Sequence, residues 1–348
     1  MFNLYRWGRS VLQKNITAHD IANHLGISQS TVSRVFTPGA SVSEKTRRRV
    51  LEAAELLGYR PNMLARSLIT KKTNMIGLVM GDIDNPFYPE VLSKLSGELK
   101  KRQYNVLLLN AENDDVPSES LIQFLGYNIE GLVVTDVLLS SSIVSQFAEL
   151  DIPIVLFNRY TTNAHCHTVC CDNMDGGRRI GEYLLRTGHR RLAFISGDPN
   201  TSTSQDREKG FRDALLNEGL HFMTESGGYT YEMAYEAANR LFLRADRPDA
   251  IFCANDIMAI GAIDAAKKLG VRVPEDVSII GFDNIKPAAW AGYDLTTWTQ
   301  PVDRMIEATI DLLLEKIEEP DRRSQADYQW IKGHLVERNT VMTRNKND

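Results

Sequence analysis

TAHDIANHLGISQSTVSRVF, residues 17–36, reads as two short helices joined by a gap that leaves room only for a tight corner. Thr17 can cap the first helix through its hydroxyl, and Asp20 falls in the first turn, where free backbone N–H groups favour negative charge. Ile21, Ala22 and Leu25 then share one face. Gly26 supplies the left-handed residue that ends the helix. Ile27 packs beneath the turn, Ser28 caps the second helix, and Val32 and Val35 are its buried positions. The small Ala22 lets the two helices approach, so the stretch has the pattern of a helix-turn-helix.

A third helix follows, capped by Ser43, with Val50, Ala54 and Leu57 as its inner stripe and Gly58 as its stop. Lys45, Arg47, Arg48 and Arg49 crowd its first turns. Most charge runs are solvated faces, but beside a helix-turn-helix phosphate contact is a second role. The second helix exposes Gln29, Ser30, Thr31, Ser33 and Arg34. Gln pairs bidentately with adenine and Arg with guanine in the major groove, and Ser and Thr reach bases or phosphates. A polar surface face would have the same composition; motif and charge together favour DNA. Thr17 completes the candidate set of this domain. Beyond it, Pro61 and Asn62 precede a run with Ala65 and Leu68 that suggests one or two helical turns. So short a helix is marginal alone and would need a partner copy and DNA, with Leu68 wedged between base steps. A plain interdomain linker is the alternative, and sequence physics alone favours it.

The charge is divided. Residues 1–72 hold twelve Lys or Arg and four Asp or Glu, leaving 28 basic and 41 acidic residues behind, so a front of +8 precedes a body of −13. Such a front suits a polyanion and such a body does not. The 348 residues suffice for a large core, and 43% hydrophobic with 24% charged is ordinary for a globular protein. No window approaches a membrane span, and residues 1–15 lack the apolar region of a secretory signal, so a cytoplasmic location is expected. The cysteines, Cys166, Cys170, Cys171 and Cys253, are not expected to form disulfides.

From Met75 onward short apolar runs alternate with amphipathic stretches. Strands are predicted at Met75–Met80, Asn105–Leu109, Gly131–Thr135, Pro153–Phe157, Leu192–Ser196, Asp249–Cys253 and Val277–Phe282. Helices include Pro89–Arg102, Asp175–Thr187, Asp206–Glu218, Tyr231–Arg244 and Asp256–Leu269. The alternation implies βαβ units and parallel sheets covered on both faces, with ligands at the carboxyl ends of the strands. There the loops carry Asp82–Tyr88, Asn158-Arg159, Asn255-Asp256 and Asp283-Asn284, with Arg207 at the start of its helix. Turn and cap chemistry explains each alone, and Asp256 can be simply an N-cap. Together they are what a polyol needs: carboxylates and amides for hydroxyls, an aromatic face for the ring.

His165, Cys166, His167, Cys170 and Cys171 form a dense cluster, but they are nearly contiguous, and alternate side chains on a strand point apart. A loop feeding a buried crossing strand is the better reading, so no metal is expected. Gly176-Gly177 reads as a tight helix start. Neither a Walker-type loop nor GxGxxG after a strand occurs, and no nucleophile elbow or supported carboxylate pair is found. No cofactor and no enzymatic activity are expected.

The strings DIANHLGISQSTVSRVF, VSEKTRRRVLEAAELLGYRPNMLARSL, MIGLVM, DIDNPFYPEV, SQDREKGFRDAL, FCANDIMAIGAI and VSIIGFDN resemble the lactose-repressor-like (LacI/GalR) family across nearly the whole chain. The resemblance implies a helix-turn-helix domain at 16–61, a hinge helix and linker at 62–72, and a periplasmic-binding-protein-like core of two doubly wound α/β subdomains. These would comprise 73–171 with 300–331, and 172–299 with 332–342, between a leader, 1–15, and a tail, 343–348. Crossings are expected near Cys170–Asp172, Trp298–Pro301 and Ile331–Gly333. It further implies that Gln29 and Ser30 choose the operator, that Arg34 reads a base and that Leu68 is the hinge wedge; Ile69 leaves the operator centre open. Effector contacts are implied at Phe87, Asn158, Arg159, Arg207, Tyr229, Asn255 and Asp283. The function implied is a homodimeric repressor on a pseudo-palindromic operator, released by a sugar or sugar derivative, with no membrane partner. A co-repressor such as a purine is the alternative, and a ligand-binding transport protein a more distant one. No leucine heptads follow Arg338, so a terminal tetramerising coil is not expected.

Overall fold

The computed structural model of the protein describes residues 16–37, 39–60, 72–111, 118–137, 139–161, 166–319 and 326–344. The leader, residues 345–348 of the tail, His165 and the hinge candidates Asn62, Ala65, Leu68 and Ile69 lie outside the described residues. The chain divides into two compact units, residues 1–73 and 74–348.

In the first unit, α1 spans Ala18–Leu25, α2 Gln29–Val35 and α3 Glu44–Leu57. Thr17 and Asp20 form a reciprocal capping box, and Ser28 and Ser43 cap the next two helices. Gly26 and Gly58 end α1 and α3 in the left-handed region, at φ 62° and 68°. Ile21 and Ala22 of α1, Val32 and Val35 of α2, and Val50, Ala53 and Ala54 of α3 make the core. Two arginines of the basic run are committed inside this unit. Arg47 donates to the carbonyls of Val35 and Ala40, and Arg49 to that of Leu25, so each satisfies the carboxyl end of a neighbouring helix.

The second unit has two six-stranded sheets among its described residues. The first holds β1 (Met75–Met80), β2 (Asn105–Asn110), β3 (Gly131–Val134), β4 (Ile154–Phe157), β5 (Cys166–Cys171) and β11 (Tyr328–Ile331), in the order β11-β5-β4-β3-β1-β2 and parallel throughout. The second holds β6 (Leu192–Ser196), β7 (Phe222–Ser226), β8 (Ala250–Cys253), β9 (Ser278–Asp283), β10 (Thr296–Thr299) and β12 (His334–Val336), in the order β12-β10-β9-β8-β6-β7; only β12 runs antiparallel. Helices α4 (Phe87–Lys101), α5 (Ser118–Gly126), α6 (Ser141–Glu149) and α11 (Val302–Glu318) interleave with the first sheet, and α7 (Asn173–Arg186), α8 (Ser202–Leu216), α9 (Tyr231–Phe242) and α10 (Asp256–Leu269) with the second. Central strands such as GLVV and IVLF are buried at every position, as sheets covered on both faces require. All seven predicted strands are present to within a residue or two.

The chain passes between the sheets at Asp172, between Thr299 and Val302, and between Ile331 and His334. Past the first passage, Gly176-Gly177 has a different purpose from the one its sequence suggested. A methyl group on Gly177 would overlap the carbonyl oxygen of Arg207, and one on Gly210 that of Met174. These glycines let α7 and α8 touch backbone to backbone, which fixes Arg207 in place. His167 and the four cysteines are buried, and burial pushes the thiols of Cys166 and Cys171 up to about 12. Among the described residues no His, Cys, Asp and Glu cluster could hold a metal, and no helix is long and apolar enough to cross a membrane.

Candidate functional site

A cavity of about 340 Å³ opens at the carboxyl ends of both sheets' strands. Phe87, Asn158, Arg159, Arg207, Tyr229, Asn255 and Asp283 all line it. They come from the first turn of α4, the loop after β4, the second turn of α8, the loop after β7, and the ends of β8 and β9; α8, predicted to begin at Asp206, begins at Ser202 under the cap of Thr201.

Arg207 is 2% exposed. Its Nε donates to Asn173 Oδ1 at 2.8 Å, Nη1 to the Ala254 carbonyl at 2.5 Å, and Nη2 lies 3.5 Å from Asp283. The guanidinium sits 3.7 Å from the centroid of Phe282. Asp283 adopts φ 115°, a strained conformation that turns its carboxylate into the cavity end of β9. Gln300 Nε2 donates to it at 2.7 Å. Burial raises its pKa to about 6, against the lowering influence of Arg207 and Gln300 and with help from Asp82.

Asn158, at φ 67°, donates its N–H to the Val169 carbonyl, and its buried Oδ1 has no acceptor duty fulfilled among the described residues. Arg159 donates to the Asp136 carbonyl. Tyr229, at φ 62°, shares a hydrogen bond with Thr203 at 2.8 Å, and its ring lies against the bare backbone of Gly197, where any side chain would collide with it. Asn255 caps α10 by accepting from Met258 N–H, so its amide group remains for a ligand. Asp256, read from sequence as an N-cap, is not one. It is fully buried, accepting from Ile285 N–H and the Thr297 hydroxyl, and burial holds its pKa well above the usual carboxylate range.

Sequence reasoning placed the loop Asp82–Tyr88 at the ligand edge but singled out only Phe87 as a contact, although Asp82 and Tyr88 line the cavity too; it missed Asp198 and Thr203. It also missed Asp136, a buried carboxylate that accepts from Gly81 N–H, Asp82 N–H and the Thr135 hydroxyl and so shapes the loop after β1. Asp136 follows a strand just as Asp283 ends one, so the same signal marked it. Across the cavity's rim, Tyr160 N–H donates to Ser202 Oγ and Tyr160 O–H to Asp206, both at 3.1 Å, tying the loop after β4 to α8.

In the first unit Gln29, Ser30, Ser33 and Arg34 are exposed on α2. Ser30 and Thr31 hydroxyls share hydrogen bonds with the capping Ser28, and Thr17 is held by Asp20, whereas the side chains of Gln29 and Arg34 make no hydrogen bond among the described residues.

A helix-turn-helix followed by a two-sheet clamp around a polar cavity defines a ligand-controlled DNA-binding regulator. Residues 17–62 match the model of the bacterial regulatory proteins of the lacI family, and residues 73–333 that of the periplasmic binding proteins and sugar binding domain of the LacI family. The HTH-type transcriptional repressor PurR of Yersinia enterocolitica serotype O:8 / biotype 1B is 33% identical over 333 residues, 93% of this chain and 96% of its own. The crystal structure of the lac repressor dimer bound to operator and the anti-inducer ONPF has a TM-score of 0.84 at 24% identity, covering 94% of this chain and 100% of that one. The complex of the transcriptional regulator CelR with cellobiose has 0.70 at 28% identity, over 93% and 99%. The chain belongs to the LacI family of bacterial regulatory proteins and is a DNA-binding transcriptional repressor.

Proposed function

We propose that the protein is a cytoplasmic, homodimeric repressor that holds a pseudo-palindromic operator and releases it when the cavity closes on a sugar or sugar derivative. It acts by binding and not by turnover. Seven side chains from six places in the fold, on both sheets' carboxyl edges, converging on one cavity carry this reading. Carboxylates and amides face hydroxyls, and Phe87 and Tyr229 offer ring faces, the composition of a polyol site. The cavity's halves correspond to 73–171 with 300–331 and 172–299 with 332–342. Closure changes how two bodies pair and thereby separates the hinges carrying Asn62, Ala65, Leu68 and Ile69, which lowers specific affinity. The ligand acts only through its different affinity for the two states. On the DNA side Gln29, Ser30, Ser33 and Arg34 meet base edges, while Thr17 and Thr31 steady the helix starts against phosphates. Symmetric pairing follows from the few base pairs one helix-turn-helix can span.

The test combines a thermal-shift screen of sugars, sugar acids and nucleobases with an operator titration on and off the best ligand. Asp283→Ala should abolish the ligand response and spare operator binding; a normal response would remove Asp283 from the site. A second reading reverses the sign, the ligand strengthening operator binding. Kinship to repressors named PurR, at 33% identity, favours it. The same titration decides the sign.

A further inference from the structure

Behind Asp283 lies another cavity, of about 370 Å³, walled from the first by Phe87 and Asp283, which line both. We infer that it is a second ligand site and takes inorganic phosphate, a tetrahedral oxyanion that keeps a proton. The 17-residue helix α11 begins in its wall. Pro301 stands at the N-cap and offers no side-chain cap, and the N–H groups of Asp303 and Arg304 have no acceptor among the described residues. An uncapped start of a long helix presents donors and partial positive charge to an anion.

The side chains around it agree. Lys94 bridges Glu90 and Asp303 at 2.9 Å each, so one cation serves two carboxylates. Asp283 is already paired with Arg207, and Arg304, exposed and without an ion pair among the described residues, joins Lys94 in offsetting Glu90 and Asp303, so the helix end tips the site positive. A separate observation selects the anion. Gln300, 3% exposed, lines the cavity; its Nε2 is spent on Asp283 and its buried Oε1 has no partner. The occupant must therefore accept from the helix start and Arg304 and also donate to Gln300. Phosphate retains a P–OH donor near neutral pH, whereas sulfate has none. Because Gln300 holds Asp283, and Asp283 faces Arg207 in the first cavity, occupancy of the two cavities is coupled.

The test is calorimetric titration of the full chain with inorganic phosphate, with sulfate at equal ionic strength, and with glycerol 3-phosphate. Phosphate should bind saturably and at least about tenfold more tightly than sulfate. Arg304→Ala should weaken phosphate roughly tenfold while leaving operator binding unchanged. Gln300→Leu should erase the preference over sulfate. Glycerol 3-phosphate, whose head near neutral pH is largely the dianion with no P–OH, should bind more weakly than phosphate, and equal or tighter binding overturns the assignment. Equal affinity for phosphate and sulfate, or a phosphate preference that survives Gln300→Leu, overturns the assignment. So does unchanged phosphate affinity in Arg304→Ala, an exposed change that keeps the test open even if Gln300→Leu does not fold; the phosphate would then sit on the basic head.

Discussion

Asp283 concentrates the chemistry of the body in one carboxylate: buried, conformationally strained, and facing both cavities. Its pKa of about 6 lies above the ordinary 3.8. Its contribution to stability is therefore complete below the ordinary value and is lost as pH rises through about 6. Asp283→Asn should flatten the pH dependence of unfolding across that window, read from urea titrations at a series of pH values. Parallel curves for the two proteins would show that Asp283 does not ionise at cost in the fold. The charge of Asp283 also helps to raise Asp256, second to burial, so the flattening reads the two carboxylates as a coupled pair. On α2, Arg34→Ala should cost roughly 1–3 kcal/mol at one operator position, read from anisotropy with single-base operator variants. Uniform weakening on every duplex would make Arg34 a phosphate contact. Asn255 and Asp283 were legible because one caps a helix and the other ends a strand; Arg207, inside α8, was legible only through the family string SQDREKGFRDAL. Asn173 and Gln300 were not, since their roles depend on partners 34 and 17 positions away in the chain.

At the scale of elements, the α7–α8 contact positions the cavity more than any single hydrogen bond does. Gly210→Ala would force the two backbones apart, at a cost of about 1–3 kcal/mol. Denaturant unfolding should register that loss, and ligand response should fall with it because α8 carries Thr203 and Arg207. An unperturbed midpoint would mean the helices have slack that the structure denies. Thr17→Ala should cost about 1 kcal/mol by opening the capping box of α1. The strands with apolar runs were legible, and so were the helices closed by Gly26, Gly58 and Leu269-Gly270. β7, β10, β11 and β12 were not singled out: FMTES, TTWT, YQWI and HLV are short and carry no unbroken apolar run, and sheet pairing rather than local preference makes them strands. The pair of glycines in α7 was misread because a sequence does not say which helix will lie against them.

For the whole molecule the governing fact is the split of charge, +8 before residue 73 and −13 after it. It makes the front the DNA-binding end and keeps the ligand-binding body off the polyanion, and it requires operator affinity to fall steeply with salt. Fluorescence anisotropy of the full-length protein is the direct test, comparing an operator selected from random duplexes with a scrambled duplex over a salt series, with and without the cavity's ligand. The account predicts a clear operator preference, a steep salt slope, and a ligand-induced change in operator affinity of about tenfold or more that Asp283→Ala removes. Equal affinity for operator and scrambled duplex at every salt concentration, unaltered by ligand, would contradict it.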